Sequence, residues 1–127
     1  MNLEKEYINI VNKDFASAHI IKKYSGFWIK ILGYYPDYKS SVALNKNLPN
    51  DILELLSKDK NINIRLTIAM KRKLPKYIFY LLSKDKDDSV RMAIALNKNT
   101  PNKILYEMKN DSWDDIVEVV ENKLTKF

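Results

Sequence analysis

The side chains of this chain that could do chemistry are not arranged for catalysis. His19 is the single histidine, and no serine or cysteine nucleophile is arranged with it. A general acid or base needs a positioned partner, so we expect His19 to be packed or exposed rather than catalytic. Asp114, Asp115 and Glu118 could be imagined as a cation site, but acids at a helix start complement the helix dipole. The sequence therefore predicts a protein that is not an enzyme and uses no cofactor, metal or small-molecule substrate.

Tyrosines and lysines form the first candidate binding surface. Tyr77 and Tyr80 are three residues apart, Tyr106 follows Tyr80 by 26 residues, and Lys76 and Lys103 lie beside them. Tyrosine is favoured in interfaces because its ring can be buried while its hydroxyl stays hydrogen-bonded. Two interpretations remain open: these rings contact a partner, or they pack between neighbouring helices of the same chain.

A basic turn is the second candidate. Lys71, Arg72 and Lys73 are consecutive, and Lys76 follows them. Such a cluster could bind phosphates or an acidic protein surface, or its lysines could simply be solvated. Residues 41–110 as a whole carry fourteen basic and seven acidic side chains, whereas residues 111–127 carry two and five. This charge distribution suits an acidic protein or a nucleic acid, and binding to a nucleic acid would weaken steeply with salt.

Aspartate and arginine recur at a fixed spacing that suggests a structural role. Asp59 precedes Arg65 by six residues, and Asp85 precedes Arg91 by six residues. Two of the three arginines of the chain occupy this position. We expect a ladder of carboxylate, guanidinium and backbone N–H groups between neighbouring repeats, because the planar guanidinium suits such contacts.

All these residues belong to a pattern that repeats every 26 residues. The recurring positions are Pro49, Pro75 and Pro101; Ala43, Ala69 and Ala95; Ile52, Ile78 and Ile104; Asp59, Asp85 and Asp111. A period between 20 and 50 residues is typical of a solenoid, in which each unit buries its apolar face against its neighbours.

Each repeat is expected to contain two short helices, A and B. The predicted N-caps of helix A are Asp37, Asn63, Ser89 and Asp115. Helix A then carries apolar triplets assigned to the core, which are 42–44, 68–70 and 94–96. Proline is expected at the first position of helix B, where its fixed φ suits the helix. Helix B has an apolar stripe of helical spacing, which Glu107 interrupts in the third repeat.

The expected architecture is a single all-α domain over residues 1–127, a right-handed α-solenoid of about three two-helix repeats with helical caps. Residues 1–36 form an N-terminal cap and a degenerate repeat, with helices over 3–12 and from 14 to about 24. The repeats are 37–62, 63–88 and 89–114, and residues 115–127 form a C-terminal cap helix with a polar outer face. About ten short helices are expected in all.

Composition excludes several classes of protein. The chain has no cysteine, which rules out disulfides, iron–sulfur clusters and thiolate zinc sites. No apolar run approaches the roughly 20 residues that span a bilayer, and the acidic residues near Met1 do not fit a signal peptide. A cytoplasmic location and a bacterial source are expected, the latter because lysine, asparagine and isoleucine are abundant.

The repeats resemble a known family. Residues 42–49 (VALNKNLP), 52–59 (ILELLSKD) and 91–101 (RMAIALNKNTP) are similar to the leucine-rich repeat variant family, which is related to HEAT-like α-solenoids. The resemblance covers about residues 37–124 and implies a right-handed superhelix of paired short helices. Some members of that family carry an N-terminal cysteine cluster that binds iron–sulfur, and this chain has no cysteine to hold one. The unit of 26 residues is also shorter than the ~40 residues of a HEAT repeat.

The predicted function is a non-catalytic protein-binding module, an adaptor or an inhibitor such as an immunity-type protein that covers a toxin's active site. The candidate partner-binding residues are Tyr77, Tyr80, Tyr106, Lys76, Lys103, Lys71, Arg72 and Lys73. The alternative is a HEAT-like protein that binds nucleic acid through a lysine-rich face. No membrane partner is expected.

Overall fold

The computed structural model describes Lys5 and residues 25–125, and these residues are helical wherever they form regular structure. There are eight α-helices between residues 25 and 125: α1 (Ser25–Tyr34), α2 (Lys39–Ala43), α3 (Asn50–Ser57), α4 (Ile62–Ala69), α5 (Lys76–Ser83), α6 (Asp88–Leu96), α7 (Asn102–Met108) and α8 (Asp114–Thr125). A 3-10 helix, Pro36–Tyr38, precedes α2. The same part of the chain contains no strand, which confirms the all-α prediction for it.

The 26-residue period of the sequence sets the positions of the helices. The B helices α3, α5 and α7 begin at residues 50, 76 and 102, and the A helices α4, α6 and α8 begin at residues 62, 88 and 114. None of the described helices is long and apolar enough to cross a membrane. The helices predicted over 3–12 and from 14 to about 24, together with His19, lie outside the described residues.

The chain divides after Leu56 into two compact units, Met1–Leu56 and Ser57–Phe127. In the described part of the first unit, α1 contacts both the 3-10 helix and α2. Trp28 and Ile31 of α1 and Val42 of α2 are buried. The rings of Tyr35 and Tyr38 stack with centroids 5.6 Å apart, which ties the two ends of the 3-10 helix together.

In the second unit, helices contact both their nearest and their next-nearest neighbours along the chain. The next-nearest contacts join α4 to α6, α6 to α8, and α5 to α7. The A helices therefore pack on A helices and the B helices on B helices, a packing compatible with stacked repeats. The core is aliphatic, with one aromatic ring: Ile64, Ile68, Ile78, Phe79, Leu82, Val90, Ile94, Ile104, Leu105, Ile116 and Val120.

The N-caps of the A helices lie two residues earlier than the sequence pattern predicts. The side chain of Asn61 accepts from the backbone N–H of Asn63, and that of Asp87 accepts from the N–H of Ser89. Asn63 and Ser89 are thus donors in the first turn and not the caps. Asp37 lies inside the 3-10 helix and Asp115 inside α8. The prediction was wrong because each repeat has two cap-forming residue types, and only the earlier one has extended backbone.

The prolines stand immediately before the B helices and not at their first position. Pro75 and Pro101 have φ of −59° and extended ψ, and α5 and α7 begin at the next residue. The carbonyl oxygen of each proline accepts from two backbone N–H groups of the following turn. Proline therefore fixes the direction in which the chain enters helix B, and only the predicted boundary is off by one residue.

Two apolar positions that the sequence pattern assigns to the core are exposed. The last member of each helix A triplet, Leu44, Met70 or Leu96, lies at the surface. In helix B, Leu55 is exposed and Leu81 is half-buried at the position that Glu107 occupies in the third repeat. Glu107 therefore does not interrupt the core, because this position faces solvent in the earlier repeats as well.

Candidate functional site

The surface of the second unit is held in place by a ladder of arginine and aspartate. The Nε atoms of Arg65 and Arg91 donate to Oδ2 of Asp85 and Asp111 respectively, at 2.9 Å in both cases. An Nη1 atom of each arginine also donates to the backbone oxygen of the aspartate six residues earlier. The predicted ladder exists, but the carboxylate partner is the aspartate twenty residues later and not the one six residues earlier.

The aspartates of the ladder have a second task in the chain turn. Oδ1 of Asp85 accepts from the N–H of Asp87, and Oδ1 of Asp111 accepts from the N–H of Trp113. Each carboxylate thus binds a guanidinium and shapes the turn that leads into the next A helix. Their side chains are 7% exposed, so both pairs are largely removed from water and are strong structural contacts.

A second ladder satisfies the carbonyl groups at the ends of the A helices. Nδ2 of Asn97 donates to the backbone oxygens of Ala69 and Lys71, at 2.9 and 2.8 Å. Nζ of Lys123, 26 residues later, donates to the oxygens of Ala95 and Asn97. The last carbonyls of a helix have no partner within it, and here the next repeat supplies the donor. Sequence analysis missed this role, although the polar residues recur at the 26-residue spacing.

The basic turn that sequence analysis singled out is not uniform. Arg72 and Lys73 are exposed, whereas Lys71 is half-buried. Burial lowers the pKa of Lys71 to about 8, because an ammonium group loses hydration when it leaves water. Arg72 and Lys73 can therefore meet a partner freely, and Lys71 contributes in part to the packing of the turn itself.

The three predicted tyrosines lie on the outer side of two contacting B helices. Tyr77 and Tyr80 of α5 are 46% and 51% exposed, and Tyr106 of α7 is 56% exposed. Lys76 and Lys103 are exposed at the same ends of these helices. We call these five residues the tyrosine surface. The rings do not pack into the core, where Ile78, Phe79 and Ile104 lie instead.

Two further lysines contact the rings of the tyrosine surface. Nζ of Lys84 lies 5.8 Å from the centroid of Tyr80, and Nζ of Lys109 lies 5.8 Å from the centroid of Tyr106. A cation at this distance from a ring is attracted by its π-electrons. The pairs give the tyrosine surface positive charge and hold each ring near one orientation, so the rings lose less entropy on binding.

An apolar groove on the A helices is the surface that sequence analysis did not identify. It has a volume of about 390 Å³, and its apolar lining comes from Met70, Met92, Ala93 and Leu96, with Arg72 and Lys98 at its rim. Met70 and Leu96 are 70% and 59% exposed. The signal was available: an exposed position that is Leu, Met and Leu in three repeats is unusual for a solvated helix face.

The chemistry available at these surfaces is that of binding. No group of three or more histidine, cysteine, aspartate or glutamate side chains is placed to hold a metal ion within the described part of the chain. Hydrogen bonds from Ser89, backbone and side chain, lower the pKa of Asp87 and keep this carboxylate ionised as a helix cap. Its role is therefore structural.

Comparison with known proteins gives no relative for this chain. No protein-family model matches it. Neither a curated protein nor a solved structure shows significant similarity to it. The tyrosine surface, the basic turn and the apolar groove are consequently the features from which its function has to be inferred.

Proposed function

We propose that this chain is a non-catalytic protein-binding module and that the tyrosine surface is its contact with the partner. The observation that carries the proposal is the exposure of Tyr77, Tyr80 and Tyr106 on one side of two contacting helices, while the apolar residues beside them are buried. Tyrosine is enriched among the residues that dominate binding energy. Half-exposed rings at three positions leave a large apolar area that a partner could cover.

The architecture supports this proposal. We infer that the repeats stack as a right-handed α-solenoid of the leucine-rich repeat variant and HEAT-like kind, because A helices pack on A helices and B helices on B helices in the second unit. In such a protein, outward positions can vary without disturbing the core, so binding surfaces arise on a common scaffold. The residues of the tyrosine surface occupy outward positions of this type.

The charge of the tyrosine surface indicates an acidic partner. Lys76 and Lys103 lie beside the rings, and Lys84 and Lys109 contact them. Cations around an aromatic centre attract an acidic protein and speed its association, while the rings supply most of the affinity. An adaptor, or an immunity-type inhibitor that covers a toxin's active site, would use a surface of this composition.

Binding to single-stranded nucleic acid is the alternative, and the pairing of lysine with tyrosine favours it. Bases stack on exposed rings while lysines contact phosphates. Sequence-specific reading of duplex bases fits less well, because it relies on arginine. Arg65 and Arg91 are committed to the aspartate ladder, which leaves Arg72 exposed.

Affinity capture from the source organism tests the proposal. The tagged chain and the double variant Tyr80→Ser/Tyr106→Ser are used as baits, and bound protein and nucleic acid are quantified in parallel. We expect the wild-type chain to recover one protein in stoichiometric amount and the variant to lose it at an unchanged melting temperature.

A matched control separates the two candidate functions. Leu55→Ser also removes an exposed apolar side chain from a B helix, outside the tyrosine surface, and should retain the partner. Recovery of nucleic acid alone, with affinity that falls steeply with salt, would favour the alternative and contradict protein binding.

A further inference from the structure

The apolar groove has a defined location. Its lining combines Met70, at the C-terminal end of α4, with Met92, Ala93 and Leu96 of α6. Met92 and Ala93 are half-buried and form the floor, whereas Met70 and Leu96 are exposed. Methionine side chains adapt to differently shaped apolar groups and are common at surfaces that bind peptide helices. The groove therefore has the composition of a peptide site.

Hydrogen bonds fix the distance between the two sides of the groove. Asn97, just after α6, donates to Ala69 and Lys71, the residues on either side of Met70. Nδ2 of Asn99 donates to the backbone oxygen of Arg72 at 2.7 Å. These three bonds join the end of α6 to the turn that follows α4, so the groove exists before any ligand arrives. A preformed site loses less free energy on binding than one that must be ordered.

The polar rim of the groove is positively charged. Arg72 and Lys98 are its charged lining residues, and both side chains are exposed. The lining contains no carboxylate. The nearest acid in the chain turn, Asp87, accepts from both the N–H and the hydroxyl of Ser89 at the opposite end of α6. A ligand with an apolar side and an acidic group toward the C-terminal end of α6 would be complementary to this arrangement.

We propose that the apolar groove binds an amphipathic acidic peptide segment of a partner protein, with its apolar side chains on Met92 and Leu96 and its carboxylates at Arg72 and Lys98. Apolar anchors spaced along a helix and docked in a groove of this kind are a recurring mode of peptide recognition. The groove lies on the A helices and the tyrosine surface on the B helices. This proposal therefore does not depend on the function proposed above.

Peptide selection on the intact chain tests this inference. A phage-displayed library of random 12-residue peptides is selected on the full chain, and enriched peptides are synthesised. We expect acidic peptides with apolar residues at helical spacing. Their binding should weaken at least about tenfold with Leu96→Asp, which removes an apolar anchor contact, and about threefold or more with Arg72→Glu/Lys98→Glu. Tyr80→Ser should leave it unchanged.

Methyl NMR locates the peptide independently. With ¹³C-labelled methionine methyl groups, the signals of Met70 and Met92 should shift on titration, and that of buried Met108 should not. Failure to enrich peptides, enrichment of basic peptides, or binding that survives Leu96→Asp would overturn the proposal. So would dimerisation of the free chain that Leu96→Asp abolishes, because the occupant would then be a second copy.

Discussion

Nε of Arg91 lies 2.9 Å from Oδ2 of Asp111, twenty residues later, and Arg65 has the same relationship with Asp85. The two pairs agree in every distance to the carboxylate: Nε to Oδ2 is 2.9 Å and Nη2 to Oδ1 is 3.3 Å in each. This agreement shows that the repeats are equivalent in three dimensions and not only in sequence. The ladder therefore links one repeat to the next at a fixed geometry.

Removing a guanidinium from this ladder should destabilise the chain. Arg91→Ala leaves the carboxylate of Asp111 largely buried without its cation, and we expect a loss of about 2–4 kcal/mol in the free energy of unfolding. Denaturant unfolding monitored by circular dichroism measures it. Arg72→Ala is the matched control, because this arginine is exposed, and it should change stability by less than about 0.5 kcal/mol. Unchanged stability of Arg91→Ala would rule the ladder out.

The second ladder gives a prediction with its own internal control. Asn97→Ala removes a buried amide and leaves the carbonyls of Ala69 and Lys71 without this donor, so we expect a loss of about 2–3 kcal/mol. Asn99→Ala removes one amide hydrogen bond at an exposed site and should cost about 1 kcal/mol or less. Equal effects of the two substitutions would show that burial of the Asn97 contacts does not contribute to stability.

Stability should depend on pH through Lys71. Its pKa is about 8 in the folded chain and 10.5 in its ordinary state. Between these values the unfolded chain binds more protons, so the free energy of unfolding rises with pH in this window and is lowest below it. We expect the wild-type chain to gain stability relative to Lys71→Asn from about pH 7.5 to about pH 9.5.

Urea unfolding of both proteins at several pH values isolates this contribution, since other titrating groups cancel in the difference. Asparagine is the residue at the equivalent positions 45 and 97, which makes the substitution compatible with the repeat. Lys73→Asn is the control, because it removes the same charge from an exposed position of the same turn. A difference between wild type and Lys71→Asn that stays flat with pH would contradict the assignment.

The rings of the tyrosine surface should contribute little to folding. Tyr80→Ser removes a side chain that is half exposed, and we expect a loss of less than about 1 kcal/mol in the free energy of unfolding. Phe79→Ser, at the neighbouring buried position, should cost at least about 3 kcal/mol. Thermal unfolding of the two variants distinguishes them. Comparable losses would mean that Tyr80 is a core residue and not a binding residue.

Much of the fold could be predicted from the sequence because the period of 26 residues is a physical constraint. Apolar residues at helical spacing, proline before each B helix and aspartate between repeats each restrict the backbone in the same register. The predicted ladder followed from that register. Its true pairing did not, because Asp59 and Asp85 are equally available to Arg65 in sequence and only three-dimensional stacking selects Asp85.

The candidate site was predictable in part. The outward positions of Tyr77, Tyr80 and Tyr106 follow from the apolar stripe of helix B, which defines the opposite face. Met70 and Leu96 were misassigned because an apolar residue at the end of a short helix fits a core position equally well by period. Whether it is buried depends on the neighbouring repeat, and that information lies in the packing of α4 on α6.

The measurement that tests the central claim most directly is quantitative capture of the native partner by wild-type chain and by Tyr80→Ser/Tyr106→Ser, with melting temperatures recorded for both. Our account predicts one stoichiometric protein on the wild-type chain and at least about a tenfold reduction on the variant, at the same melting temperature. Equal recovery of that protein by both, or recovery of nucleic acid alone, would contradict it.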